Sequence, residues 1–403
     1  MPLRLPHLRK TFFAAALLCA APYTAQQPAP NSIGPFAPAR AHAAEESLQF
    51  EYENRFYSWR QLAAQERGHQ WTSLLTTQYR LMTDAVMFEY ANRVGFIRSE
   101  RSTPWRPGRA QGPTDATFNA TLTFATAQGS LFPFLTASAN LPIGRSTLFG
   151  REKNAIMDGD LVGHTRLGEG LNTQIGGGVT WHIDDRWSLT TAATYKFSGP
   201  YVPDGNFPFR FQSGDEIVAS TDLVYEAEAG RASIGFRFGS QTNSRIEDFD
   251  FFRPGDGWTV FGTAAHAFGE GQQVEAQWSV TRQRRNHFFD PFTGSFEREE
   301  ARSAGDILQL GVNWSHARQW GRWGLAGSVL RRTANGYDPK SDLFIPARTR
   351  WLAGPHLTLA SGSGASFTAR AQAMRLNEDR VFLTGQTRRF IGAQLSLSAN
   401  LEF

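Results

Sequence analysis

Cysteine is nearly absent: Cys19 is the only one in 403 residues. Disulfides and cysteine-ligated metals are thereby excluded from the rest of the chain. Long apolar runs are missing too. No stretch approaches the roughly 20 consecutive apolar residues that a membrane-spanning helix needs. An excess of one charge is confined to the start. The net charge of +4 comes from Arg4, Arg9, Lys10 and Arg40, since residues 1–43 hold no acid. The remainder is balanced, so the high isoelectric point carries no nucleic-acid signal. No serine sits in a nucleophile motif, and no histidine pair has metal-ligand spacing. The reading therefore expects no catalysis, no cofactor and no metal.

What is present begins with an export signal. Arg4, Arg9 and Lys10 precede an apolar run, Thr11 to Ala21, of signal-peptide length and too short to span. Ala41-His42-Ala43 offers a small-x-small cleavage site. Tyr23-Thr24-Ala25 lies nearer the run but has a bulky first position. Bulky Leu18 before Cys19 argues against lipidation. The expected division is a signal and linker over 1–43 and one domain over 44–403.

From about Leu48 onward one pattern repeats: about ten alternating residues, then a gap. In 187–198 the odd positions are Trp187, Leu189, Thr191, Ala193, Tyr195 and Phe197. The even positions are Ser188, Thr190, Ala192, Thr194, Lys196 and Ser198. A strand sends successive side chains to opposite faces, so one face suits lipid and the other water. A helix would need apolar residues at three-to-four spacing, which is not seen. Segments 171–182 and 273–284 alternate in the same way. The gaps are alternately short, with the Gly or Asp that tight turns favour, and long, at 97–115, 142–170, 199–214, 240–257, 285–306, 332–349 and 377–388. Short turns on one rim and long loops on the other are the signature of an outer-membrane barrel. Trp181, Trp187, Trp258, Trp314, Trp323 and Trp351 fall near strand ends, where interfacial tryptophan belongs.

The expected fold is all-β: a transmembrane antiparallel up-and-down barrel of 14–16 strands, with short periplasmic turns and long extracellular loops. Sixteen requires 48–58 and 69–81 to be strands. Fourteen follows if residues 59–68 form a short helix and the N-terminal region a plug. The expected location is the cell outer membrane.

Function in a barrel resides on the inward face. Pore-lining candidates are Glu89, Arg93, Glu216, Asp222, Arg237, Glu275, Arg350 and Arg370. Glu51, Glu53, Arg55 and Arg80 share that face. Opposed acids and bases set a transverse field in an open pore or pair across strands and fill a narrow one. Gly176, Gly178, Ser188, Thr190, Ala192 and Thr194 form a low wall that leaves room for solute or for an inserted loop. Candidate ligand contacts in the Phe-rich loops are Phe207, Phe209, Phe211, Phe288, Phe289 and Phe292; packing among the loops is the competing expectation. Asp158 and Asp160, and likewise Glu247, Asp248, Asp250 and Asp256, lack calcium-ligand spacing and read as loop acids near lipopolysaccharide. His356, and His182 beside Asp184 and Asp185, read as polar rim residues.

Two resemblances add to this. Segment 389–403 alternates Ile391, Ala393, Leu395, Leu397, Ala399 and Leu401 and ends in Phe403. It resembles the terminal strand of Gram-negative outer-membrane proteins, which implies that Phe403 is an assembly signal for the barrel-assembly machinery. Asn140-Leu141-Pro142-Ile143-Gly144, then Asp160-Leu161 and Gly168-Glu169-Gly170, resembles barrels of the phenol-degradation-pathway transporter family over roughly 40 residues. That implies passive passage of a small, aromatic or hydrophobic solute. The alternatives are a non-conducting barrel for assembly, export or adhesion, and, more weakly, a rim-active lipid enzyme. Expected partners are outer-membrane lipid, lipopolysaccharide, the assembly machinery and the solute, with no nucleic acid; the oligomer is a monomer or a trimer.

Overall fold

The computed structural model describes residues 45–126, 129–206, 208–360, 364–380, 385 and 387–403. The expected signal and its cleavage site lie outside these. Sixteen antiparallel strands form the wall. They are β1 Glu45–Gln61, β2 Arg67–Met82, β3 Val86–Ser102, β4 in two pieces (Gly108–Pro113 and Ala116–Phe124), β5 Leu131–Leu141, β6 Asn172–His182, β7 Trp187–Ser198 and β8 Glu216–Ala227. They continue as β9 Gly230–Gln241, β10 Gly257–Phe268, β11 Gln272–Gln283, β12 Ile307–Arg318, β13 Gly321–Arg332, β14 Arg348–Ala360, β15 Ala365–Arg380 and β16 Thr387–Glu402. Each pairs with its sequence neighbour, and β16 closes on β1 from Gln49↔Glu402 to Gln61↔Phe390. Closure leaves no edge, the condition under which strands can cross hydrocarbon.

Period-two alternation decides which side chains meet lipid. Ile175, Leu135, Leu397, Leu325 and Ile234 point outward and are more than half exposed without lipid. Ser188 and Ser198 of β7 face in and are buried, while Trp187 and Phe197 face out and are exposed. The short turns follow their chemistry: Gly269 and Gly271 take positive φ (60° and 76°) between β10 and β11, a region closed to most side chains.

The strand count settles at sixteen because the first hairpin is continuous. β1 runs on to Gln61, and β2 starts at Arg67. The helix considered for 59–68 is absent, and β1 and β2 are wall rather than plug. Pairing also extends above the expected boundaries. Gly108–Pro113 pairs with Phe96–Arg101, and β15 and β16 reach Arg380 and Thr387, so most of the 97–115 gap and both ends of the 377–388 gap are strand.

Three long loops build a second, six-stranded sheet from Pro200–Tyr201, Phe211–Gln212, Ser244–Ile246, Phe249–Arg253, His287–Asp290 and Ser295–Arg298. Its core is Phe211, Phe251 and Phe252, with Tyr201, Ile246 and Phe288 packed on them.

If this outward face meets hydrocarbon, Leu395→Arg at mid-strand of β16 should lower stability by about 2–4 kcal/mol. Ser396→Arg, one residue on and facing the lumen, should cost much less. Urea unfolding of the protein refolded into vesicles measures both.

Candidate functional site

The loop between β5 and β6, residues 142–170, folds into the barrel. Its feet are tied by one carboxylate. Asp115, in the break of β4, accepts from Gly144 N–H (2.9 Å), Asn140 Nδ2 (2.9 Å) and Glu169 N–H (2.7 Å). Gly144 is needed there, because a Cβ would sit 2.1 Å from the Leu167 carbonyl oxygen. Leu148, Ala155 and Leu167 pack on Ile97 and Ala110 at the near wall.

The loop tip crosses to the far wall. Met157, Leu161 and Val162 are buried against Tyr57, Trp59, Met374, Leu376 and Phe390, each apolar side chain contributing roughly 1.5–3 kcal/mol when fully buried. A Cβ on Gly68 would lie 2.6 Å from Met157 Sδ and from the Trp59 ring, so only glycine admits this approach. Gln70, 1% exposed, binds the loop backbone in both senses. Its Nε2 donates to the His164 carbonyl (2.7 Å), and its Oε1 accepts from the His164 N–H (3.0 Å).

Charge completes the pin. Arg348 pairs with Asp158 and, through Nε, with Asp160 at 2.7 Å. Arg332 Nη2 lies 3.6 Å from Asp160, and Arg350 Nη1 donates to the Asp160 carbonyl at 3.2 Å. Burial would raise the Asp158 carboxyl, but Arg348 and the Asp160 N–H hold it below the usual carboxylate range. Both acids are thus engaged by arginines inside the barrel; Asp160 is buried, while Asp158 stays partly exposed. In the other acidic loop, Asp250 is held by Arg245 (2.7 Å) and Asn243 (3.0 Å).

The filling is one-sided. Inward residues of β1–β3 and β13–β16 are buried under the loop: Gln70, Thr72, Ile97, Leu330 and Leu376 are 7% exposed or less. Across the lumen, Asn119 on β4, Thr263 on β10, Gln277 on β11 and Gln309 on β12 also point inward, yet are exposed. At mid-height the lumen is therefore packed on the loop side and exposes polar side chains opposite it, while Thr123, Ser188 and Val224 of that opposite wall are buried nearer the turns. Nearer the turns, Phe134 lies over Gly178 and Phe132 meets His182 edge-on at 5.0 Å, so aromatic side chains occupy part of the small-residue wall.

All eight pore-lining candidates face the lumen, but they do not form one ring. Glu89 is paired with Arg80 (2.8 Å) near the turns. Arg93 shares the loop side with Arg55, which Glu53 holds at 2.6 Å. Arg350 binds the loop itself. On the open side Arg237 lies over the Phe261 ring at 5.9 Å, with Glu216 on the neighbouring strand. Asp222 sits against Gly235. Glu275 accepts from Gln273 and Asn313 at 3.0 Å each. Arg370 pairs in register with His356, which is buried.

Of the Phe candidates, Phe211 and Phe288 belong to the loop-sheet core. Phe289 packs on Phe249 and Phe296 (4.8 and 5.8 Å). Phe209 is half-buried, Phe292 is 85% exposed, and Phe207 lies outside the described residues. Phe403 faces outward at the turn rim, where its backbone pairs with Leu48 and its ring meets Phe50 edge-on at 6.2 Å. Asp115, Gln70 and His164 escaped the sequence reading, since none lies in a recognisable motif.

Comparison with solved structures finds barrels. The chain is similar to an outer membrane channel of Pseudomonas putida F1, at 13% identity and TM-score 0.41, over 62% of this chain and 92% of that one. It is similar to Pseudomonas putida OprB, at 10% identity and TM-score 0.46, over 89% and 92% of the two chains. A third is Pseudomonas aeruginosa OpdK, solved with vanillate, at 8% identity and TM-score 0.45, over 89% and 99%. No protein-family profile matches the chain, and no curated protein matches it.

Two outcomes follow from the pin. Asp158→Asn with Asp160→Asn removes both carboxylates from Arg332 and Arg348; loss of the buried Asp160 partner alone typically costs about 3–5 kcal/mol. The loop should then become sensitive to a protease added from the long-loop side, while the barrel stays folded. The second outcome concerns pH. Burial, with Arg93 and Arg55 adding to it, pushes the His164 imidazole down to about 4 in the docked loop. A released loop would restore it toward about 6.5. The undocked form therefore takes up the proton first, and docking weakens as pH falls from about 6.5 toward 4. Proteolysis of the loop should rise over that window, and His164→Gln should flatten the response.

Proposed function

We propose that this protein is a passive outer-membrane channel whose passage is off-centre, bounded by the folded-in loop on one side and the polar wall of β4–β12 on the other. The observation that carries the reading is the asymmetry of the lumen at mid-height: inward residues such as Gln70 and Thr72 are buried under the loop, while Asn119, Thr263, Gln277 and Gln309 opposite it are exposed. A filled barrel would bury both halves. A wall of Asn, Thr and Gln with few unpaired charges suits a small, water-soluble solute. Strong ion selectivity is not expected from it, because acids and bases alternate along the passage. Diffusion through such a passage needs no chemistry, so the reading assigns no catalytic residue.

The narrower reading, an aromatic or apolar solute, rests on the Phe-rich loops. Phe211 and Phe288 are committed to packing, so entry contacts of that kind fall to Phe209, Phe292 and the open edge of Phe289.

Single-channel recording of the refolded protein in a planar bilayer tests the proposal. Stable conductance steps are expected. Gln277→Trp or Asn119→Trp should reduce them severalfold. Absence of steps in a protein that keeps heat-modifiable barrel migration would refute a conducting lumen. Vesicle swelling in benzoate against acetate reads the aromatic preference: faster swelling in benzoate, lost in Phe292→Ser, supports it.

A further inference from the structure

On the outside of the barrel, at the long-loop rim of β13–β16 and β1, four arginines point away from the lumen. Arg375 on β15 and Arg60 on β1 flank Ile391 of β16 in one cross-strand row, which Trp351 of β14 continues. Arg389 lies one outward position higher on β16, and Arg331 is the corresponding residue on β13. All four are exposed. With strands about 4.8 Å apart, Arg60 and Arg375 stand roughly 10 Å from each other with Arg389 above them, so three guanidinium groups can reach one point.

Among the described residues none of the four has an ion-pair partner; Arg375 donates only to Asn377 (3.2 Å). The inward arginines at the same height behave differently. Arg332 and Arg348 are matched by Asp158 and Asp160, and Arg388 by Glu378. A barrel that neutralises its inner rim and leaves four outer arginines bare has placed positive charge for something outside.

The next outward row down explains what sits below that charge. Ala353, Ala373 and Ala393 pair across β14, β15 and β16, with Gly327 and Ser58 at either end. Small residues make a shallow trough directly under the arginine row. Below it, Leu325 and Leu395 return to full apolar relief, and both are exposed. Half-exposed Trp351 marks this height as the membrane interface.

We infer that this face binds a phosphorylated glycolipid of the leaflet on the long-loop side. Its phosphate is held by Arg60, Arg375 and Arg389, with Arg331 at the margin, and its sugar or upper acyl segment lies in the alanine trough. Arginine suits phosphate because its fork of donors matches the oxygens. A second copy of this chain is the competing occupant for a flat apolar face. Charge disfavours it. Glu100, the other outward carboxylate high on a wall strand, is already taken by Arg98, His69 and Arg109. Asp379 lies in the bulge above the arginines themselves and would repeat on the same face of a symmetric partner.

The test is native mass spectrometry of the refolded protein titrated with diphosphoryl lipid A in detergent. A one-to-one adduct is expected, weakened at least about tenfold in Arg60→Gln/Arg375→Gln/Arg389→Gln, since the charge-assisted bonds to phosphate are lost. Lysine at the same three positions keeps the charge but not the donor fork and should restore binding only in part, and lipid A stripped of phosphate should bind the wild type as weakly as intact lipid binds the glutamine variant. Heat-modifiable migration reports that the variants are folded. Should the glutamine variant not fold, the salt dependence of wild-type binding and the dephosphorylated lipid decide the matter. Equal binding by the glutamine variant, or by dephosphorylated lipid, overturns the inference. So does a variant that alters only the oligomeric state.

Discussion

Everything here depends on one constraint: a backbone inside hydrocarbon must find all its hydrogen bonds within the protein. Sixteen strands meet it by closing on themselves. Closure then forces alternation, because each strand must offer lipid one face and the lumen the other. The modest hydrophobic content follows, since alternate positions are free to be polar. So does the placement of the charged side chains, which face the lumen or gather at the two rims.

Closure also makes a problem. A sixteen-stranded barrel encloses more space than its own inward side chains fill. This chain places one loop in that space, packed against the wall at both its feet and its tip. The loop is not held by a single strong contact. Asp115 ties both feet, apolar residues seat the tip on β1, β15 and β16, and Gln70 satisfies backbone in mid-course. Two carboxylates then meet two arginines, and a third arginine, Arg350, takes the Asp160 carbonyl. Burying Asp160 beside a partly exposed Asp158 would be costly alone, and burying Arg332 and Arg348 equally so. Each pair is tolerable only because the other is present. The loop and the far wall therefore fold as one decision, and the open half of the lumen is what remains.

The wall was legible in the sequence because its rule is local. Trp187 to Ser198 declares both faces within twelve residues, and every pore-lining candidate chosen by parity faces the lumen. Where local rules end, legibility ends. Asp158 and Arg348 are 190 residues apart, and nothing near either marks the other, so the acidic loop read as solvated. The 97–115 gap read as loop because Pro104, Gly108 and charge interrupt the pattern, yet pairing with β3 resumes beyond them. The Phe-rich loops showed their aromatic content but not that Phe211, Phe251 and Phe252 find one another across two connections. The residues that resemble a transporter family, 140–144, 160–161 and 168–170, prove to be the feet and the pin of the folded-in loop, which gives that pattern a structural meaning whatever the solute.

The central claim is that the lumen is packed on one side and open on the other. Cys19 is the only cysteine, so single cysteines placed on the wall are unambiguous probes. The decisive measurement is their reaction with a membrane-impermeant thiol reagent in the refolded barrel, with conductance followed during modification. Cysteines at Asn119, Thr263, Gln277 and Gln309 should react rapidly and reduce conductance, while those at Thr72 and Gln372 should stay protected. Equal reaction on both sides, or protection of both, would contradict the account.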